Sequence, residues 1–138
     1  MTFDDNLIDG RRIVGIGVDI VANHRIGALI ERRPKALDRI FTRGELTYAA
    51  KFTGNAQIGR LAARFAAKEA VSKALGVSVF SLGFLNIETL NSQLGKPTVT
   101  LLRNALECAQ ENGICAVMVS ISHEIDTSIA FAVALARN

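Results

Sequence analysis

Tryptophan is absent from this chain, tyrosine occurs once, and aromatic residues make up 6% of its 138 positions. A surface that stacks the bases of single-stranded nucleic acid needs several exposed rings, so a nucleic-acid partner is not expected. Two cysteines, Cys108 and Cys115, are too few for a disulfide framework. Cys108 falls in a helical pattern and Cys115 opens a strand pattern, and buried free thiols are expected of both. No Cys/His cluster has zinc spacing. No apolar run approaches the ~20 residues that span a membrane, so no membrane partner is expected. The opening Met-Thr-Phe-Asp-Asp-Asn lacks the basic start and apolar centre of a signal peptide, and a reduced cytoplasmic setting is the expectation. Charge is not strongly one-sided either. Sixteen Lys/Arg against thirteen Asp/Glu leave a net charge of +3, which suits an acidic protein, a phosphate-bearing ligand or nucleic acid without choosing among them.

What is present is an apolar content of 49% over a length that can bury a real core. Residues 1–11 read as a short acidic tail, and residues 12–138 as a single domain. Ile13–Val21 is β-branched, with glycines at alternate positions 15 and 17, and reads as a strand. Asn23 is placed to cap a basic helix from His24 to Arg33, closed by Pro34. Thr42-Arg43-Gly44-Glu45 has capping-box spacing and opens a helix to about Lys51. A break at Thr53–Ala56 precedes a long helix from about Gln57 to Leu75, with Gly76 where a helix commonly ends.

Val77–Gly83 reads as a loop, and Phe84–Leu90 as a strand. A turn then leads into a strand over Thr98–Leu101. Leu102, Ala105, Leu106 and Ala109 share one face of a helix over about 102–111, which Asn112-Gly113 ends. Two strands, Ala116–Ser122 and Ser128–Ala136, flank a short connection of the kind that favours antiparallel pairing. Helices and hairpins are mixed rather than alternating, so the class is α+β.

Residues 64–73, Arg-Phe-Ala-Ala-Lys-Glu-Ala-Val-Ser-Lys, carry the richest chemistry. No Gly or Pro interrupts them, and Ala, Lys, Glu and Arg dominate. Glu69 and Lys73 are four apart and share a face, as a solvated pair or as a carboxylate and an ammonium in one site. The small alanines let neighbouring elements approach, so the charged tips can line a cleft. Asp19 is a carboxylate in an apolar strand, and such a charge must be paired, metal-bound or at an exposed strand end. His123 ends Ser-Ile-Ser-His, and Arg25, Arg32, Arg33 and Lys35 form a basic run with Arg25, Arg32 and Lys35 at spacings of seven and three.

Three ordered segments, Gly-Ile-Gly-Val-Asp-Ile-Val at 15–21, Arg64–Lys73 and Ser-Ile-Ser-His at 120–123, resemble the holo-acyl-carrier-protein synthase family of phosphopantetheinyl transferases. The resemblance runs from about Ile13 to Leu135. It implies a curved antiparallel sheet packed on a long helix, and a homotrimer with active sites between subunits. The implied reaction moves 4′-phosphopantetheine from coenzyme A to a serine of apo-acyl carrier protein, in support of fatty acid biosynthesis. The other product is adenosine 3′,5′-bisphosphate.

The same resemblance implies Asp19 and Glu69 as ligands of Mg²⁺, a hard ion that keeps waters and takes phosphate oxygens. Glu69 and Lys73 become the catalytic pair. Arg64, Lys73, Gly76, Lys96, Pro97 and His123 become the donor-binding set, and Arg25, Arg32 and Lys35 the docking face for the acidic carrier. Lys68 belongs to the motif but turns to a different helical direction from Lys73. The chain departs from the family pattern in two places: Ala22 stands where an acidic residue is frequent, and Val77-Ser78-Val79 where a second glycine is usual. A catalytically inactive carrier-binding subunit of the same fold is the alternative that these departures leave.

Overall fold

The structure is a computed structural model that describes residues 10–137. Most of the expected tail, residues 1–9, lies outside the described residues. Strand β1 (Arg11–Ala22) pairs antiparallel with β5 (Thr127–Arg137), and β5 pairs antiparallel with β4 (Ile114–His123). A second, two-stranded sheet joins β2 (Ile87–Asn91) to β3 (Pro97–Leu101). Helix α1 (Asn23–Arg32), the short α2 (Leu37–Ile40) and α3 (Arg43–Ala49) lead into α4 (Gly54–Leu75). One turn, α5 (Val79–Leu82), and α6 (Arg103–Glu111) complete the chain. Mixed helices and antiparallel sheets packed on one long helix are the α+β arrangement expected.

The core is built from alanine. Helix α4 buries Ala62, Ala63, Ala66, Ala67, Ala70 and Ala74, and β5 turns Ala130, Ala132, Ala134 and Ala136 inward. Small side chains bring backbones together, and β1 takes this furthest. A Cβ at Gly15 would stand 1.9 Å from the carbonyl oxygen of Ala74, and one at Gly17 would stand 1.9 Å from that of Ala70. Both glycines are therefore required by backbone-to-backbone contact. Residues 15, 17, 19 and 21 share the inward face of a strand with period two, so the seam carries Asp19 onto α4 one step further along. The opposite face shows Ile16, Val18 and Ile20 of β1, Met118 of β4, and Ile129 and Phe131 of β5, all exposed.

Several expected boundaries shift. Asn23 lies inside α1 and does not cap it. Its side chain donates instead to the carbonyls of Glu124 (3.0 Å) and Ile125 (3.1 Å) and accepts from Ser128 Oγ at 2.7 Å. The tight β4–β5 connection offers free carbonyls, and these win the amide. Helix α4 starts at Gly54, three residues before the expected Gln57. Val77–Gly83 holds the turn α5, capped by Ser78 accepting from Phe80 N–H, in place of a loop. Phe84–Asn86 form a 3₁₀ turn, so β2 begins only at Ile87. Arg11, assigned to the tail, opens β1. Cys108 is half-buried and Cys115 exposed, against the expectation of two buried thiols; pairing of β4 with β5 slips between Ile114 and Ala116, leaving Cys115 outward. The capping box at Thr42 and Glu45 forms as expected, and Gly76 takes φ +77° at the end of α4.

Candidate active site

Consecutive residues at the middle of α4 go opposite ways. Lys68 turns inward, and its Nζ lies 2.7 Å from Glu45 Oε1 with both side chains at zero exposure. Lys68 also donates to the carbonyls of Phe84 (2.8 Å) and Ile87. Glu45 accepts from the N–H groups of Thr42 (2.9 Å) and Thr89 (3.0 Å). Burial lowers the pKa of Lys68, with Glu45 opposing the shift. Both charges in this knot are fully paired, so it ties α3, α4 and β2 together and leaves no charge for a ligand.

Glu69 turns toward β1. Partial burial raises its pKa, the Asp19 charge raises it further, and Lys73 and Arg25 oppose the shift. Lys73 Nζ donates to the Val18 carbonyl at 2.8 Å and sits 3.3 Å from Asp19 Oδ1, while remaining half exposed. The glycine seam and the i, i+4 spacing thus gather Asp19, Glu69 and Lys73 on one solvent-reachable face, with the Arg25 charge close by. Two carboxylates held together against their own repulsion have the chemistry of a hard-cation site, since a divalent ion relieves that repulsion. Among the described residues no larger group of potential metal ligands forms, so the remaining ligands would be water and substrate oxygens. Ala22 supplies no third carboxylate.

A separate pocket of about 280 Å³ opens beside the N-terminal half of α4, lined among others by Tyr48, Arg60, Arg64, Asn91, Pro97 and His123. Arg64 is 3% exposed, and among the described residues it makes no ion pair. Its Nη1 donates to the Arg60 carbonyl at 3.3 Å, its Nη2 to Asn91 Oδ1 at 3.2 Å, and its Nε is buried without a partner. Desolvation lowers its pKa. A buried cation with no carboxylate partner is costly, and beside an open pocket it favours an anionic occupant.

A family model described as the 4′-phosphopantetheinyl transferase superfamily matches residues 15–127. The chain belongs to the phosphopantetheinyl transferases. Within them it is 42% identical to the holo-[acyl-carrier-protein] synthase of Clostridium acetobutylicum, over 88% of this chain and 96% of that one. The crystal structure of the Neisseria meningitidis holo-[acyl-carrier-protein] synthase superposes with a TM-score of 0.80 at 38% identity, over 89% of this chain and 98% of that one. The Helicobacter pylori synthase, solved in complex with coenzyme A, gives 0.75 at 33% identity, over 86% and 98%. The chain is a transferase of the holo-[acyl-carrier-protein] synthase kind.

Of the residues expected in this phosphopantetheinyl transferase to bind the donor, Arg64, Pro97 and His123 meet in the pocket. Lys96 is exposed beside it and does not line it. Lys73 belongs to the Asp19 cluster. Gly76 ends α4 twelve residues beyond Arg64, about 18 Å along the axis. Arg25, Arg32 and Lys35 are all exposed, the first two on α1 and the third in the 3₁₀ turn after it. Sequence reasoning passed over Tyr48, Arg60 and Asn91. No local pattern marks them, since Arg60 stands twelve positions after Tyr48 and Asn91 thirty-one after Arg60.

Proposed function

We propose that this phosphopantetheinyl transferase moves 4′-phosphopantetheine from coenzyme A to a serine hydroxyl of an apo-acyl carrier protein, leaving adenosine 3′,5′-bisphosphate. The observation that carries this reading is the Asp19–Glu69 pair, two carboxylates pressed onto one face by a glycine seam, with cations at their edge. The coenzyme A complex of the Helicobacter relative supports the donor.

Asp19 and Glu69 would hold Mg²⁺. Bound there, the ion supplies charge neutralisation and polarisation at the donor pyrophosphate. Lys73, tethered to the Val18 carbonyl, presents its ammonium to the charge that develops on the leaving phosphate. The serine oxygen forms the new bond to phosphorus as the bond to the bisphosphate breaks. Glu69 is the candidate to accept the serine hydrogen, directly or through a water held beside it. Arg64 and His123, with the Gly95–Pro97 turn that includes Lys96, hold the nucleotide end. Gly76 flanks the donor at the far end of α4.

The exposed basic residues Arg25, Arg32 and Lys35 steer the acidic carrier to α1. The uncovered apolar face of β1, β5 and β4 supports assembly as a homotrimer with active sites between subunits, because large exposed patches of this kind mark interfaces. The setting would be the cytoplasm and the pathway fatty acid biosynthesis.

Mass spectrometry of apo-acyl carrier protein incubated with the protein, coenzyme A and Mg²⁺ tests the reading. The expected result is the mass gain of one phosphopantetheine, abolished by EDTA. No gain across several carrier proteins would leave an inactive carrier-binding subunit in its place.

A further inference from the structure

Arg64 does not stand alone in its pocket. Its guanidinium lies over the Tyr48 ring, 4.2 Å from the centroid, and Nη2 donates to Asn91 Oδ1 at 3.2 Å. Asn91 Nδ2 in turn donates to the Tyr48 hydroxyl at 3.1 Å. Each of the three side chains therefore touches the other two. They come from α3, α4 and β2, the same three elements that the buried Glu45–Lys68 knot ties together. Tyr48 follows Glu45 by three residues on α3, Arg64 precedes Lys68 by four on α4, and Asn91 follows Thr89 by two on β2. These spacings keep each pair on one face of its element. The structure therefore stacks two three-element contacts, a closed one inside and an open one at the pocket wall.

An arginine side chain has many rotamers, and ordering it costs entropy that a ligand must otherwise offset. Here the plane of the guanidinium is fixed by the ring beneath it and by the amide at its edge. Asn91 pairs in backbone register with Pro97, itself a pocket residue, so the strand that carries the amide is backed by another strand lining the same pocket.

We propose that Tyr48 and Asn91 are positioning residues for Arg64, fixing its charge at the pocket wall where the phosphate-bearing end of the donor binds. This rests on the pocket being the donor site. The test is the KM for coenzyme A, the KM for carrier protein and kcat, measured in Asn91→Ala, Tyr48→Leu, Tyr48→Phe and Arg64→Gln, alone and combined. Asn91→Ala and Tyr48→Leu are each expected to raise the coenzyme A KM about fivefold to thirtyfold, the range of a cation–ring or charged hydrogen-bond contact. The KM for carrier protein stays put and kcat stays within about twofold, because only donor binding is affected. Tyr48→Phe keeps the ring and loses only the hydroxyl, so most of the wild-type KM returns.

In an Arg64→Gln background neither change has a further effect. Effects that persist undiminished there would overturn the positioning role. A raised KM in Arg64→Gln with wild-type values in Asn91→Ala and Tyr48→Leu would overturn this proposal and spare the donor pocket. An unaltered KM in Arg64→Gln would overturn the pocket reading itself.

Discussion

Lys68 and Glu69 are neighbours on one helix, yet they belong to two different regimes. Lys68 is sealed in a pair with Glu45, with two carbonyls completing its donors. Glu69 faces a like charge on Asp19 and is only partly shielded. The first arrangement is electrostatically finished and serves the fold. The second is unfinished, and what would complete it comes from outside the chain. Charge left unsatisfied on an accessible face marks where binding energy is available, whereas charge satisfied in the interior fixes geometry.

The sharpest way to break this contrast is to unpair the inner knot. Lys68→Met leaves Glu45 buried without its cation and should cost about 3–5 kcal/mol of stability, read by urea denaturation; a loss near zero would mean that the inner pair does not hold the fold. The outer site should respond in the opposite sense. Asp19→Ala and Glu69→Ala are each expected to cut turnover at least about a hundredfold while the melting temperature is kept. Near-wild-type rates in excess Mg²⁺ would remove the metal assignment.

The smallest effect is on pH dependence. The folded-state pKa of Glu69 is raised, so the carboxyl stabilises the metal-free fold at low pH and loses that contribution as pH rises through the raised value. Glu69→Gln should therefore raise the metal-free melting temperature above that range, by only about 1–2 °C because solvent screens a half-open group. Mg²⁺ should narrow the gap between the two proteins. A variant that melts lower than wild type at neutral pH without metal would contradict the strain at this site.

Local chemistry was readable from the sequence where its partner was also local. The Thr42–Glu45 capping box, the Gly76 terminus and the shared face of Glu69 and Lys73 depend on residues within a turn of one another, and all three appear. Asn23 has the right residue type for a helix cap. Its amide is taken by carbonyls about a hundred positions away, and no local rule reports that competition. Glu45 shows its cap in the sequence and hides its pairing with Lys68. Tyr48, Arg64 and Asn91 meet only because three elements converge, and nothing in their spacing along the chain announces it. The alternating glycines of β1 signal a strand, but their purpose requires knowing which helix lies beneath.

That contact between β1 and α4 has a consequence for tolerance. Where a Cβ at Gly17 would fall 1.9 Å from the Ala70 carbonyl, there is no slack to absorb even one carbon. The separation of strand from helix is thus set by backbone thickness, as a shim sets a gap, and side-chain packing cannot adjust it. Asp19 hangs from the strand and Glu69 from the helix, so the bite between the two carboxylates is cut to the same gauge. The smallest addition to the alphabet of residues at position 17 would widen that bite while most of the core stayed in place, which makes two hydrogen atoms on a glycine part of the instrument.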